Sequence, residues 1–117
     1  METITIIINS PAYGTEKAWN ALRLAGGLVV KDVDVRIFLL GNGVSLAKKN
    51  QETPKGFYNL EEMLGDLIEK GVEVKACGTC IKARGLNQEE VIDGIEVGST
   101  MLHLVKWVKE SQKVLTF

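Results

Sequence analysis

Strand-length apolar runs alternate with helix-length amphipathic ones from one end of the chain to the other, and that alternation constrains the fold more than any other feature. Thr3 to Ile8 reads T-I-T-I-I-I, β-branched throughout and nearly continuous in its apolar character. A strand with so little polar surface must be covered on both faces. Asn9-Ser10-Pro11-Ala12-Tyr13-Gly14 then breaks it with turn residues. Ala18, Leu22, Ala25 and Val29 recur at helical spacing as far as Val30, with Trp19 alongside; Thr15 is placed to cap this helix and Glu16 to lie in its first turn. Gly26-Gly27 inside it costs about 1 kcal/mol per residue relative to Ala, which predicts close approach to a neighbouring backbone as compensation.

The pattern repeats. Val33 to Leu40 reads as a second strand, alternating at first and buried at its end, and Gly41-Asn42-Gly43 terminates it before a short helix over Val44 to Lys49. Asn50 to Tyr58 is polar, holds Pro54 and Gly56, and reads as a mobile loop. Leu60, Met63, Leu64, Leu67 and Ile68 form one stripe of a helix from Leu60 to Lys70, with Asn59 as N-cap, Glu62 completing a capping-box-like pattern, and Gly71 at the C′ position. Val72 to Ala76 is a third strand, and Ile81 to Gly85 has room for a turn or two of helix. Asn87 is placed to cap Gln88 to Ile92; Ile95 to Val97 is a fourth strand. Ser99 is the expected cap of a last helix from Thr100 to about Glu110, and Val114 to Phe117 closes the chain as a strand. Strands alternating with helices imply crossover connections. The expected fold is therefore one α/β domain over residues 1–117, a three-layer α/β/α sandwich with a mostly parallel five-stranded sheet. Sites in such sheets form beyond the carboxyl ends of the strands, here the segments Asn9 to Thr15, Gly41 to Val44 and Cys77 to Gly85, with the turns after Val97 and after Asp93 as further neighbours.

Composition narrows the classes of function. With 117 residues, 45% hydrophobic and 25% charged, the chain has the make-up of an ordinary globular domain and not of a disordered one. A formal charge of −1 lacks the basic excess of a nucleic-acid or membrane-surface binder. No apolar run reaches the roughly 20 residues that span a bilayer. The opening Met1-Glu2-Thr3 has no basic stretch of the secretory kind, so the two cysteines are expected to work in a reducing cytoplasm.

Cys77-Gly78-Thr79-Cys80 is the sharpest chemical feature. It leaves a buried strand and enters a helical turn, where backbone N–H groups favour an anion. A thiolate there is expected to have a lowered pKa and to act as a nucleophile. Gly78 permits close approach, Thr79 lines the motif, Lys75 adds positive charge nearby, Lys82 faces away, and Arg84 lies one turn beyond Cys80. Packing is the plainer reading of a lone cysteine, but it fits a Cys-x-x-Cys pair less well. A closed zinc site wants four ligands; this chain offers one such pair, three methionines and a single histidine, His103, so no intramolecular metal is expected. Thioredoxin-like exchange needs a proline loop after the motif, yet Pro11 and Pro54 both precede it. Gly41-Asn42-Gly43 is neither Gly-x-Gly-x-x-Gly nor a Walker loop, and reads as a tight turn with Asn42 near the cysteines. Ser10 to Thr15 lacks the Ser/Thr run of a flavin phosphate loop, so no cofactor is expected; Tyr13 in it lines the cysteine pocket or covers the core. Trp19 and Trp107 read as core or subunit-interface residues.

These residues, in this order, resemble the DsrE/DsrF-like superfamily, including sulfur-relay subunits of the TusD type. The resemblance runs through N-S-P-A-Y-G-T-E, F-L-L-G-N-G-V, Y-N-L-E-E-M-L, V-E-V-K-A-C-G-T-C-I-K-A-R-G-L and W-V-K-E-S-Q-K-V-L-T-F, nearly the whole chain. It implies a parallel five-stranded domain that assembles into homotrimers or homohexamers. It also implies a persulfide-carrying cysteine after the third main strand, exchanging sulfur with donor and acceptor proteins, without direct contact to nucleic acid or membrane. Counting back from Arg84-Gly85 matches Cys77 to that position. Cys80 looks like an extra cysteine found in a subset of the superfamily, a departure from the single-cysteine pattern. It would resolve a Cys77 persulfide into a Cys77–Cys80 disulfide, releasing sulfide, or shield the site. Three functions follow: a persulfide carrier using Cys77, a dithiol redox protein cycling Cys77 and Cys80, and a non-catalytic oligomeric scaffold or ligand binder.

Overall fold

A computed structural model describes residues 1–117. Its elements are β1 (Thr3–Ile8), α1 (Lys17–Val30), β2 (Asp34–Leu39), a 3-10 segment (Gly41–Ala47), α2 (Leu60–Glu69), β3 (Glu73–Cys77), α3 (Gly78–Ala83), a 3-10 turn (Gln88–Glu90), β4 (Ile95–Ser99), α4 (Met101–Glu110) and β5 (Lys113–Thr116). The strands form one sheet in the order β4-β3-β2-β1-β5, and every neighbouring pair is parallel. The three-layer α/β/α architecture read from the alternation is the one observed.

The pleat of β1 explains the two layers. Ile4, Ile6 and Ile8 point to one face and meet Ala18, Ala21, Leu22 and Ala25 of α1 and Leu60, Leu64 and Leu67 of α2 in the larger core. Ile7 points to the other face, where it joins Phe38, Leu104 and Trp107 beneath α4. Burying each of these aliphatic side chains contributes about 1.5–3 kcal/mol, before the entropy of ordering it is subtracted. Trp107 belongs to this second core and not to an exposed interface: it is 4% exposed, meets Phe38 edge-on at 6.1 Å between ring centroids, and carries the Arg36 and Lys75 cations over its ring at 5.6 and 5.5 Å. Arg36 also donates to Glu110 at 2.7 Å, and that bond holds the Glu110 carboxyl below its usual range.

Several helix starts differ from the sequence reading. Glu16, not Thr15, is the first residue of the α1 cap, and the Thr15 hydroxyl accepts only a long bond of 3.4 Å from Lys17 N–H. Thr100, not Ser99, caps α4: its N–H donates to Nδ1 of His103 at 2.9 Å, while Ser99 is buried in β4. Asn59 caps α2 as expected, accepting from Glu62 N–H at 3.1 Å. The segment from Asn50 to Tyr58 is not a loose loop at its ends. Gln51 donates to the carbonyls of Leu46 and Lys48 and accepts from the Tyr13 hydroxyl, and Tyr58 stacks on Trp19 at 4.5 Å.

Two glycine positions separate sterics from propensity. A Cβ at Gly43 would lie 1.9 Å from the Ile8 carbonyl oxygen, so only glycine lets the 3-10 segment pass over the end of β1. At Gly26 and Gly27 a Cβ would meet nothing within 4 Å, so the close approach expected inside α1 does not exist. Urea denaturation is expected to show Gly43→Ala destabilised by about 3 kcal/mol. Gly26→Ala and Gly27→Ala are each expected to stabilise the fold by about 0.5–1 kcal/mol. A loss of stability at Gly26 or Gly27 would show that those positions are covered in solution.

Candidate functional site

Parallel pairing brings the carboxyl ends of β2, β3 and β4 side by side, and the segments that leave them converge. Cys77 is both the last residue of β3 and the N-cap of α3. Its Sγ accepts a hydrogen bond from Cys80 N–H at 3.3 Å, which folds the four residues of the motif into one turn. The Sγ of Cys80 in turn accepts from the N–H of Gly41 at 3.2 Å. Gly41 reaches it because it adopts φ +57, a left-handed conformation that glycine enters without strain. Both cysteines are free thiols and partly exposed.

Arg84 fastens the two segments together. Its guanidinium donates to Oδ1 of Asn42 at 2.7 Å and to the carbonyl of Cys80 at 3.1 Å. It makes no hydrogen bond to either sulfur, so its place is that of a clamp beside the thiols and not of a direct thiolate partner. Asn42 is beside the motif as expected. Tyr13 is turned elsewhere: its hydroxyl donates to Gln51 at 2.5 Å, accepts from Leu60 N–H at 3.1 Å, and its ring stacks toward Tyr58. Gly78 packs α3 against β4, since a Cβ there would sit 3.3 Å from the Val97 carbonyl oxygen.

The helix-start position does not lower the Cys77 pKa. Burial pushes this thiol above its ordinary value, and the side chain of Cys80 adds to the rise. The backbone amides of Cys80 and Thr79 oppose the shift without cancelling it. A helix of six residues has little dipole, and a thiol packed against both cores loses water that the thiolate needs. No three His, Cys, Asp or Glu side chains converge as a metal cluster. His103 is held by Thr100 at the start of α4.

Sequence reasoning missed one contributor and gave a second only as a turn beside the site. Gly41 had been read only as part of a tight turn, although its N–H is the donor to Cys80. The other is the β4 end, Val97 to Thr100, which with α3 borders a half-open cavity of about 400 Å³. The run Gly98-Ser99-Thr100 at a strand end was the available signal.

A parallel α/β sandwich with a thiol pair at the carboxyl edge of its third strand defines the class of protein, and comparison with known sequences gives the family. The chain belongs to the DsrE/DsrF-like family, whose model matches residues 2–117. It is 39% identical to the protein YchN of Escherichia coli K12 over 119 residues, covering 100% of each chain. The crystal structure of YchN superposes with a TM-score of 0.93 over 100% of both chains. An uncharacterised Methanopyrus kandleri protein, MK0008, is 48% identical over 117 residues, covering 100% of this chain and 95% of its own. A Methanobacterium thermoautotrophicum protein of unknown function, MTH1491, shares the fold with a TM-score of 0.79 at 17% identity, over 100% of both chains.

The raised pKa predicts a pH profile. In Cys80→Ser, alkylation of Cys77 by iodoacetamide is expected to speed up about tenfold from pH 7 to 8 and to keep rising beyond it, since only the thiolate reacts. The rise has this sign because the thiol is mostly protonated over that range. A plateau below pH 8, followed by mass spectrometry, would show instead a thiolate already formed at neutral pH.

Proposed function

We propose that this chain is a cysteine persulfide carrier in intracellular sulfur transfer, with Cys77 accepting and donating sulfane sulfur. The observation that carries the reading is the paired arrangement of the motif, in which each sulfur accepts a backbone N–H and both thiols are free and partly exposed. Membership of the DsrE/DsrF-like family agrees with it. In loading, the Cys77 thiolate attacks the outer sulfur of a donor persulfide and the donor thiolate leaves. In unloading, an acceptor thiolate attacks the outer sulfur on Cys77, and the Cys77 thiolate leaves.

The raised pKa suits retention. A basic thiolate is a strong nucleophile once formed and a reluctant leaving group once loaded. Cys77 therefore takes sulfur slowly at neutral pH and holds it until an acceptor docks. Donor and acceptor are proteins or small thiols that reach the carboxyl edge of the sheet. We further propose a homotrimer or homohexamer. Its support is the outer face of α4, where Met101, Leu102, Val105 and Val108 are exposed. No helix is long and apolar enough to cross a membrane. A reducing cytoplasm would keep both thiols free.

A second reading is dithiol exchange, favoured by the Cys80 N–H bond to Cys77 Sγ, which puts both cysteines on one turn. Intact-mass spectrometry after exposure to a persulfide donor separates the two. The carrier gains the mass of one sulfur atom, retained in Cys80→Ser and absent in Cys77→Ser. A loss of two hydrogens with no sulfur gained would establish the redox reading in its place. Light scattering after size exclusion is expected to give three or six copies of the chain; a clean monomer would remove the assembly from the proposal.

A further inference from the structure

α3 has two working sides. Cys77, Cys80 and Arg84 lie toward the Gly41–Asn42 segment. Thr79 and Lys82 lie on the other side and line the cavity of about 400 Å³ shared with β4 and the start of α4. That volume falls in the range of small-molecule sites.

Gly98 is the first sign that the cavity is built for an occupant. It stands within β4 and lines the cavity, and a Cβ there would meet nothing within 4 Å. Glycine weakens a strand interior and is used there for close approach of a ligand or a second backbone. Gly78 has such a backbone neighbour in Val97, but Gly98 has none.

Charge is the second sign. Lys82 is the one charged residue in the wall; no carboxylate lines it, and Lys82 makes no ion pair elsewhere. Thr79 and Gln88 share the wall with it, as do Ser99 and Thr100, whose hydroxyls pair with the Glu96 carbonyl and with His103. This is a lining for a small anion that also offers hydrogen-bonding groups. Its position ties it to the thiols: Cys77 directly precedes Gly78 and pairs with Ser99 across the β3–β4 ladder, and both neighbours line the cavity. Neither sulfur is part of the wall.

We propose that the cavity binds the carboxylate-bearing part of a small thiol persulfide, no larger than a tripeptide, that delivers sulfur to Cys77. The proposal rests on the persulfide-carrier reading. The carboxylate meets Lys82, and the sulfur end lies outside the cavity toward Cys77. The Cys77 thiolate then bonds to the outer sulfur of the donor while the donor S–S bond breaks. The small thiol departs as its thiolate, and the sulfane sulfur stays on Cys77 with no net oxidant or reductant consumed.

Two variants and two donors test this. Lys82→Gln removes the charge. Gly98→Val fills the cavity at a strand position with open space, and its circular dichroism and melting temperature check that it folds. Loading is followed by intact mass with glutathione persulfide and with the uncharged persulfide of 2-mercaptoethanol. In each variant the ratio of the first loading rate to the second is expected to fall about tenfold, equivalent to about 1.4 kcal/mol of lost binding. Glutathione itself, titrated into the labelled wild-type protein, is expected to shift the amide signals of Thr79, Gly98 and Thr100. An unchanged ratio in both folded variants, or no amide shift, would overturn the donor site and leave the carrier reading standing. Failure of both donors to load the wild-type chain would overturn the carrier reading itself, and the delivery role with it.

Discussion

The thiol edge depends on a missing side chain at Gly43. The 3-10 segment after β2 must cross the end of β1, and it does so with the Ile8 carbonyl occupying the space that a Cβ would need. That passage brings Gly41 to the Cys80 sulfur and Asn42 to Arg84. Without it the Cys-x-x-Cys turn would have partners only within itself. The crossing is possible because β1 is an interior strand parallel to both neighbours, so its carboxyl end lies beside that of β2.

Packing and chemistry meet at Cys77. The residue belongs to the sheet, and it touches the partly buried margins of both cores. That position withdraws water from the sulfur, and desolvation outweighs the amides that face it. The result is a basic thiol in a place where a helix start alone would suggest an acidic one. Basicity makes the sulfur a strong nucleophile once ionised and a reluctant leaving group once it is bonded to another sulfur. The same short helix turns its other side to the cavity, so one element borders both the thiol pair and that space.

The two helix layers also differ in purpose. α1 and α2 close the larger core with small and branched side chains, while Leu24 and Val30 of α1 stay exposed. α4 covers its face alone, with Trp107 and Leu104 inward and a row of apolar residues outward. Gly26 and Gly27 lie in open space on α1, with no neighbour that accounts for them. An assembly of several copies would give the outer row of α4 a neighbour that the isolated chain lacks.

The fold was legible because its signals are local. Thr3 to Ile8 has no polar face, Leu60 to Ile68 repeats at helical spacing, and Asn59 and Gly71 mark the ends of a helix; each follows from residues within a few positions. The motif Cys77 to Cys80 could be read in the same way, as could its place at a strand end. Helix caps were less legible, since Thr15, Glu16, Ser99 and Thr100 are neighbouring candidates and the choice between them depends on the path of the chain. The direction of the Cys77 pKa, the Gly41 donor, the Arg84–Asn42 clamp, the inward turn of Trp107 and the cavity at Gly98 all depend on residues brought together from distant parts of the sequence. Desolvation and close approach are properties of a packed three-dimensional neighbourhood. The sequence by itself determined which residues could react and on which edge of the sheet they would stand; the tertiary structure alone decided what surrounds them, and so how basic the sulfur is and what can reach it.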